Sequence, residues 1–234
     1  MTNTINNIKI RIIGDLHGHY KEYLEIIKGV PHTLQLGDFG FDYSCLNDVD
    51  GSTNRICAGN HDNYSKVWED HDTFSKMQSK HWLGDYGIYE VPGFGEIFYL
   101  RGGHSIDWMY RKEGRDYWKD EQLSYKKMQQ ALEFYIEKKP DFVITHECPG
   151  ELIEPAFGAK KWDGEWLKPS ATAKLLDQMW SNHAPKHWFF GHHHKYFNSV
   201  LKGTNFICLP ELGYIDLDEN KNIVTLVVGN EIKL

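Results

Sequence analysis

The chain has 234 residues, 41% of them apolar and 25% charged, and carries a net charge of -7 with histidine neutral. That length suits one compact domain over residues 1–234, or at most a domain with an elaborated insert, and the composition is ordinary for a soluble globular protein. No run of about 18 apolar residues occurs, so no membrane span is expected, and an acidic balance without a basic block speaks against an extended nucleic-acid footprint.

Residues 8–13, IKIRII, read as a buried strand, and 19–29, HYKEYLEIIKG, as a helix with Tyr23, Leu24 and Ile27 on one face, ended by Gly29. Short strands follow at 33–38 and 55–60, each running into a glycine-containing turn. Residues 86–103 pattern as a hairpin that turns at Pro92, Gly93 and Gly95. The least patterned segment, 102–120, mixes aromatics with both charge signs and reads as an insert or lid. The clearest helix is 120–140, with Asp120 as its cap, Met128, Leu132 and Tyr135 along one face and Pro140 as its stop. A strand and loop at 141–149, a helix capped by Ser170 at 170–183, a strand and loop at 187–194, and short strands to the end complete the pattern. Strands alternate with helices first and become consecutive later, which predicts an α/β fold with a mixed sheet, or two sheets packed together with helices outside.

The four cysteines, Cys45, Cys57, Cys148 and Cys208, are scattered without a CxxC spacing. A chain of this size needs no disulfide staple, so reduced thiols, one or two of them facing the core, and a cytoplasmic setting are expected. The first residues, MTNTINNIKIRIIG, lack the basic start and long apolar core of a secretory signal.

Thirteen histidines are an excess, and their positions matter more than their number. Five short motifs each lie just after a predicted strand: GDLHG (14–18), GDFG (37–40), GNHD (59–62), THECP (145–149) and GHHH (191–194). In an α/β sheet the loops beyond the carboxyl ends of the strands converge on one crevice. Asp15, His17, Asp38, Asn60, His61, His146, His192 and His194 can therefore meet in space, and imidazoles with carboxylate and amide oxygens suit manganese, iron, zinc or nickel. Taken singly, Asp15 reads as a helix cap, Asp38 and Asn60 as turn formers, and His146 as a buried, satisfied histidine. Taken together in this order, they read as one site. Gly14, Gly37, Gly59 and Gly191 are expected to let the backbone turn sharply as each strand ends. Within GHHH, residues i and i+2 of an extended segment point the same way, so His192 and His194 face the cluster and His193 is expected to be exposed.

The order Asp-x-His, Gly-Asp, Gly-Asn-His-Asp, His, Gly-His-x-His resembles the calcineurin-like metallophosphoesterase superfamily, from Asp15 to His194. The resemblance implies a sandwich of two mixed β-sheets flanked by α-helices, with two divalent metal ions, Mn2+ first among them, at one end. It implies Asp15, His17 and His194 on one metal, Asn60, His146 and His192 on the other, Asp38 bridging both, and His61 as the catalytic histidine. Two metals need a bridging carboxylate and together lower the pKa of a shared water, giving a hydroxide that attacks phosphorus. The leaving oxygen then needs a proton, and His61, beside a ligand but not itself required as one, is placed to supply it.

The second motif departs from the GDxVDRG of the protein Ser/Thr phosphatases: GDFGFDYS (37–44) has no arginine, and the third motif ends in GNHD. A small or nucleotide-like phosphodiester or monoester is therefore the expected substrate, with a nuclease, a protein phosphatase-like enzyme and a non-catalytic binding scaffold as the rival readings. Asp42 and Asp62 are both candidates to orient His61. His104, Asp107 and Arg111 of the insert are candidate substrate contacts, offering a cation for phosphate, while His19 reads as a surface or supporting residue. His32, His71, His81, His183 and His187 read as structural or exposed, and Trp162 and Trp166 as packing residues.

Overall fold

A computed structural model describes residues 8–68, 81–158, 161–162, 165–166, 168–229 and 231–232. His71 lies outside the described residues, as do the side chains of Trp162 and Trp166. In chain order, β1 (Ile8–Ile13), α1 (Tyr20–Ile27), β2 (Thr33–Gln35), β3 (Asn54–Ile56) and α2 (Tyr64–Trp68) come first. The hairpin β4 (Tyr86–Val91) and β5 (Gly95–Leu100) follows, then α3 (Tyr125–Lys138), β6 (Phe142–Thr145) and α4 (Gly150–Phe157). A short ribbon, β7 (Lys161–Trp162) with β8 (Glu165–Trp166), precedes α5 (Ala171–Asn182) and β9 (His187–Phe190). The chain finishes with β10 (Phe197–Leu201), β11 (Thr204–Cys208), β12 (Tyr214–Asp218), β13 (Ile223–Val228) and β14 (Glu231–Ile232).

The strands form two six-stranded sheets, ordered β14-β13-β12-β1-β2-β3 and β10-β11-β9-β6-β5-β4. Each is mixed. β1, β2 and β3 run parallel in one, and β11, β9, β6 and β5 in the other, with antiparallel strands on the flanks. The expected sandwich is thus the observed one. Strand alternation explains how three apolar cores arise from a few short runs. Phe142 and Ile144 of β6 and Phe189 of β9 point into the layer between the sheets, beside Ile10, Ile12 and Ile207. Val143, Trp188 and Phe190 point the other way, under Met128 and Tyr135 of α3 and Leu176 and Met179 of α5. Ile13 and Ile56 turn outward from the first sheet to meet Tyr23 of α1, Phe39 and Trp82. Both faces of the central strands are covered, which is why they read as near-continuous apolar runs.

Several element boundaries differ from expectation for local reasons. In α1 it is Tyr23 that is buried, while Leu24 stays 38% exposed. α3 starts at Tyr125 with Ser124 as its cap, the Ser124 hydroxyl accepting from the Lys127 N–H; Asp120 belongs instead to a 3-10 turn over Lys119–Glu121. Ser170 caps α5 as expected, accepting from the Ala173 N–H at 2.9 Å. Helix α4 carries Pro155 in its interior and has no long apolar period to announce it.

Candidate metal centre and cleft

Every motif leaves a strand that is paired in parallel, so all five loops open at the same end of the sandwich. Asp15 and His17 follow β1, Asp38 follows β2, Asn60 and His61 follow β3, His146 follows β6, and His192 and His194 follow β9. The loops converge into two groups whose ligand-type atoms lie within 4.8 Å of one another: Asp15, His17, Asp38 and His194, and Asp38, His146 and His192. Asp38 is common to both. The Asn60 amide oxygen joins the second group, 2.9 Å from His146 Nε2 and 2.8 Å from His192 Nδ1. In the first, His17 Nε2 and His194 Nε2 stand 2.8 Å apart, with Asp15 Oδ2 3.2 Å from the latter. The two groups differ in depth. His194 is 48% exposed at the rim, whereas His146 is wholly enclosed.

The backbone at the site is unusual. His17, Asp38, His192 and His194 all have positive φ, between 46° and 66°. This left-handed region is costly for residues with a Cβ and is held only where surroundings over-determine it. It also corrects the expected reason for the GHHH geometry: β9 ends at Phe190, and His192 and His194 are aimed by left-handed turns rather than by strand alternation. His193 is not exposed. Its ring stacks on Phe157 with centroids 4.1 Å apart, and its Nε2 lies 3.3 Å from Cys148 Sγ. Of Gly14, Gly37, Gly59 and Gly191, only Gly37 turns with positive φ, at 107°. Gly191 serves close approach instead, since a Cβ there would collide with the Asp15 carboxylate, which accepts the His192 N–H at 2.9 Å. Asp15 is therefore not a helix cap.

The polar groups fit a pair of cations. Asp38 is buried; its Oδ1 accepts the His61 N–H at 2.7 Å, and its Oδ2 has no hydrogen-bond partner among the described residues. Burial, then Asp15 and Asp62 nearby, push its carboxyl well above the usual range, and a cation beside it would favour the ionised form. His146 Nδ1 lies 2.8 Å from the Leu36 carbonyl oxygen, which can only accept, so Nδ1 carries the proton and Nε2 presents a lone pair to the Asn60 amide oxygen. Two acceptors face each other. Ligands on one ion at bonds of about 2.1 Å stand about 3.0–3.4 Å apart, close to the separations observed. Burial lowers the pKa of His146 and His192, keeping both neutral and able to ligate.

His61 is partnered by neither expected carboxylate. Asp62 instead accepts the backbone N–H groups of Asp38, Phe39, Gly40 and Gly59, at 2.7–3.3 Å, and so staples the second motif to the third. Asp42 accepts the Ser44 N–H in a local turn. The His61 ring meets Arg111: Nη1 lies 2.9 Å from Nδ1 and Nη2 a longer 3.4 Å from Nε2. A guanidinium only donates, so Nδ1 is the acceptor and the ring proton sits on Nε2. Burial, and then the Arg111 charge, bring the His61 pKa down to about 3. Asp107 holds Arg111 through Nε at 2.6 Å.

Asp38, Asn60, His61, Arg111, His192 and His194 line one side of a cleft of about 620 Å³, whose other walls include Ile106, Ile153, Lys168 and Pro169. His104 also borders it, its pKa raised by a hydrogen bond to Glu121. His19 lies outside, paired with Glu211 at 3.0 Å. Lys168 was not among the expected site residues; Ser105 and Glu121, which belong to the SID…R…W…E pattern of the insert but had no expected role, bond to each other beneath Asn60. The role of Ser105 was not readable locally, because its partners Glu121 and Asn60 are 16 and 45 positions away in the chain.

A family model described as calcineurin-like phosphoesterase matches residues 8–196. No curated protein matches the chain. Among solved structures, TT1561 of Thermus thermophilus is 12% identical, covering 92% of this chain and 97% of its own, with a TM-score of 0.52. Phosphopantetheinyl hydrolase from Mycobacterium tuberculosis is 11% identical, covering 88% and 90%, with a TM-score of 0.52. GAP50, the anchor in the inner membrane complex of Plasmodium, is 11% identical, covering 97% and 87%, with a TM-score of 0.51. At these identities the likeness is one of fold, and it spans a hydrolase and an anchor, so the site must carry the functional conclusion.

Proposed function

The chain belongs to the calcineurin-like phosphoesterase family, and from that premise we propose that it hydrolyses a small or nucleotide-like phosphoester with two divalent cations, Mn2+ first among them. The observation that carries the reading is the buried Asp38 Oδ2, without a hydrogen-bond partner among the described residues, at the junction of two ligand groups. In this reading Asp15, His17 and His194 hold one cation, Asn60, His146 and His192 the other, and Asp38 both. Two cations so held activate a shared water and offset charge on the phosphoryl oxygens.

The chain's own groups do the rest. His61 is neutral and turns its Nε2–H to donate a hydrogen bond to the leaving oxygen, in the orientation that Arg111 imposes on the ring, so the proton for that oxygen comes from solvent. Arg111, anchored by Asp107, faces the cleft and can turn a second N–H toward a phosphoryl oxygen, the task of the arginine that the second motif lacks. Lys168 and the apolar wall of Ile106, Ile153 and Pro169 accept the remainder of the ester. A cleft of about 620 Å³ on an acidic chain suits a small ester better than duplex nucleic acid. Residues 1–234 are taken as one domain, with 102–120 as an insert. Four free cysteines accord with a cytoplasmic setting.

The test is hydrolysis of bis-p-nitrophenyl phosphate and p-nitrophenyl phosphate with added Mn2+. Turnover of at least one, lost in Asp38→Asn and strongly reduced in His61→Ala, is expected. If the protein binds Mn2+ but cleaves neither these nor a wider phosphoester panel, the binding-scaffold reading takes its place.

A further inference from the structure

The segment between β5 and α3 leaves the sheet at Gly102 and returns at Glu121, and it is closed at its neck rather than hinged. Gly102 has φ of 94°, and a Cβ there would collide with the Glu121 carbonyl oxygen. One carboxylate oxygen of Glu121 accepts the Ser105 N–H at 2.8 Å and the other accepts the Ser105 hydroxyl at 2.7 Å. The Ser105 oxygen in turn accepts from the Asn60 Nδ2 at 3.1 Å. All three side chains are buried, at 2% exposure or less. Farther along, Trp118 Nε1 donates to Ser65 Oγ at 3.0 Å, and Arg111 holds His61. The insert therefore grips the third motif at Asn60 and His61 and the start of α2 at Ser65, and the sequence expectation of a lid gives way to that of a brace.

The polarity of this chain of bonds has a consequence. A carboxylate only accepts, so the Ser105 hydroxyl must spend its one proton on Glu121 and offer a lone pair to Asn60. That lone pair calls for the NH2 end of the amide, which leaves Oδ1 as the end facing His146 Nε2 and His192 Nδ1. The two ends of an amide are nearly identical in shape, so packing alone does not choose between them. With the NH2 end turned inward the site would hold a donor where a cation needs a lone pair.

We propose that Glu121 and Ser105 are positioning residues that set the orientation of the Asn60 amide and thereby make it a metal ligand. The inference rests on the reading of Asn60 as a ligand. Hydrogen bonds of this kind behind a ligand are commonly worth 10–100-fold in metal affinity. Glu121→Gln is nearly isosteric but supplies an NH2 to the Ser105 oxygen, freeing the hydroxyl proton to seek the Asn60 oxygen and turn the amide around. In the Asn60→Asp background both ends of the side chain are oxygens, and orientation no longer matters.

The experiment is calorimetric titration of metal-free protein with Mn2+ alone, on the wild type, Asn60→Ala, Asn60→Asp, Ser105→Ala, Glu121→Gln and the Asn60→Asp/Glu121→Gln double variant, with thermal melting to check folding. Glu121→Gln and Ser105→Ala are expected to weaken Mn2+ binding about tenfold or more, while Glu121→Gln in the Asn60→Asp background costs less than about threefold. An equal loss in both backgrounds means Glu121 merely supports the fold and overturns the proposal. Full affinity in Glu121→Gln and Ser105→Ala beside a loss in Asn60→Ala also overturns it, leaving Asn60 as a ligand. Unchanged binding in Asn60→Ala removes the underlying reading as well. Where Glu121→Gln does not fold, Ser105→Ala with and without Asn60→Asp decides on the same terms.

Discussion

Replacing Asp38 by asparagine should make the metal-free protein more stable, although it removes the residue placed at the centre of the site. In the absence of metal the buried Asp38 carboxyl has one oxygen without a partner, with Asp15 and Asp62 adding like charge. Its pKa is raised above the unfolded value of about 3.9. A carboxyl that holds its proton more tightly when folded makes stability fall as pH rises from the unfolded pKa through the folded one. The penalty is thus absent near pH 3.5 and complete once the folded carboxyl ionises. Leaving a buried polar group unsatisfied costs about 1–3 kcal/mol. At about 2–4 °C per kcal/mol for a chain of this size, metal-free Asp38→Asn should melt roughly 2–12 °C above wild type at pH 8. The amide keeps the oxygen that accepts the His61 N–H and turns its NH2 toward His17 Nε2, 3.7 Å from Asp38 Oδ2. Thermal melting of chelator-stripped proteins between pH 4 and 8 reads the difference, and adding Mn2+ should reverse the order, because wild type gains more from binding. A metal-free variant that melts below wild type at pH 8 would refute the reasoning.

His192→Ala and His194→Ala should each lower Mn2+ affinity more than about tenfold. His193→Ala should leave metal binding intact but cost about 0.5–1.5 kcal/mol in chemical denaturation through loss of its stack on Phe157. Asp62→Ala, which strips four backbone N–H groups of their acceptor, should lose about 3 kcal/mol or more, whereas Asp42→Ala should stay within about 1 kcal/mol of wild type in the same assay. Burial alone would raise the Asp85 pKa, but Arg101 and Lys127 outweigh it and hold the carboxyl below its usual range. Asp85 therefore stabilises above the unfolded pKa of about 3.9 and loses that contribution as pH falls through its folded value, so Asp85→Asn should flatten the acid side of a stability–pH profile.

The strands were legible from their apolar pattern: burial on both faces makes Phe142–Thr145 of β6 and His187–Phe190 of β9 nearly continuous apolar runs, while β1, IKIRII, sets buried isoleucines between Lys9 and Arg11. α4 was not legible, since eight residues with an internal proline carry little period. The helix predicted from Asp120 was over-extended because acidic residues signal a cap equally well in a 3-10 turn. The metal-type residues were legible from their types and from their place after strands. Their supporting partners were not. Arg111 reached His61 from 50 positions away, while nearer carboxylates at 42 and 62 were occupied with backbone groups.

By itself, then, the sequence determined the layers of the fold and the set of groups offered at one end of the sheets, because period, turn residues and side-chain chemistry are local properties. Only the tertiary structure decided how those groups are aimed: left-handed backbone at His192 and His194, a covered His193, Arg111 on His61, and Glu121 behind Asn60. Orientation is set by which loops pack against which. That depends on contacts between distant segments, whose hydrogen-bond partners leave no mark on neighbouring residues.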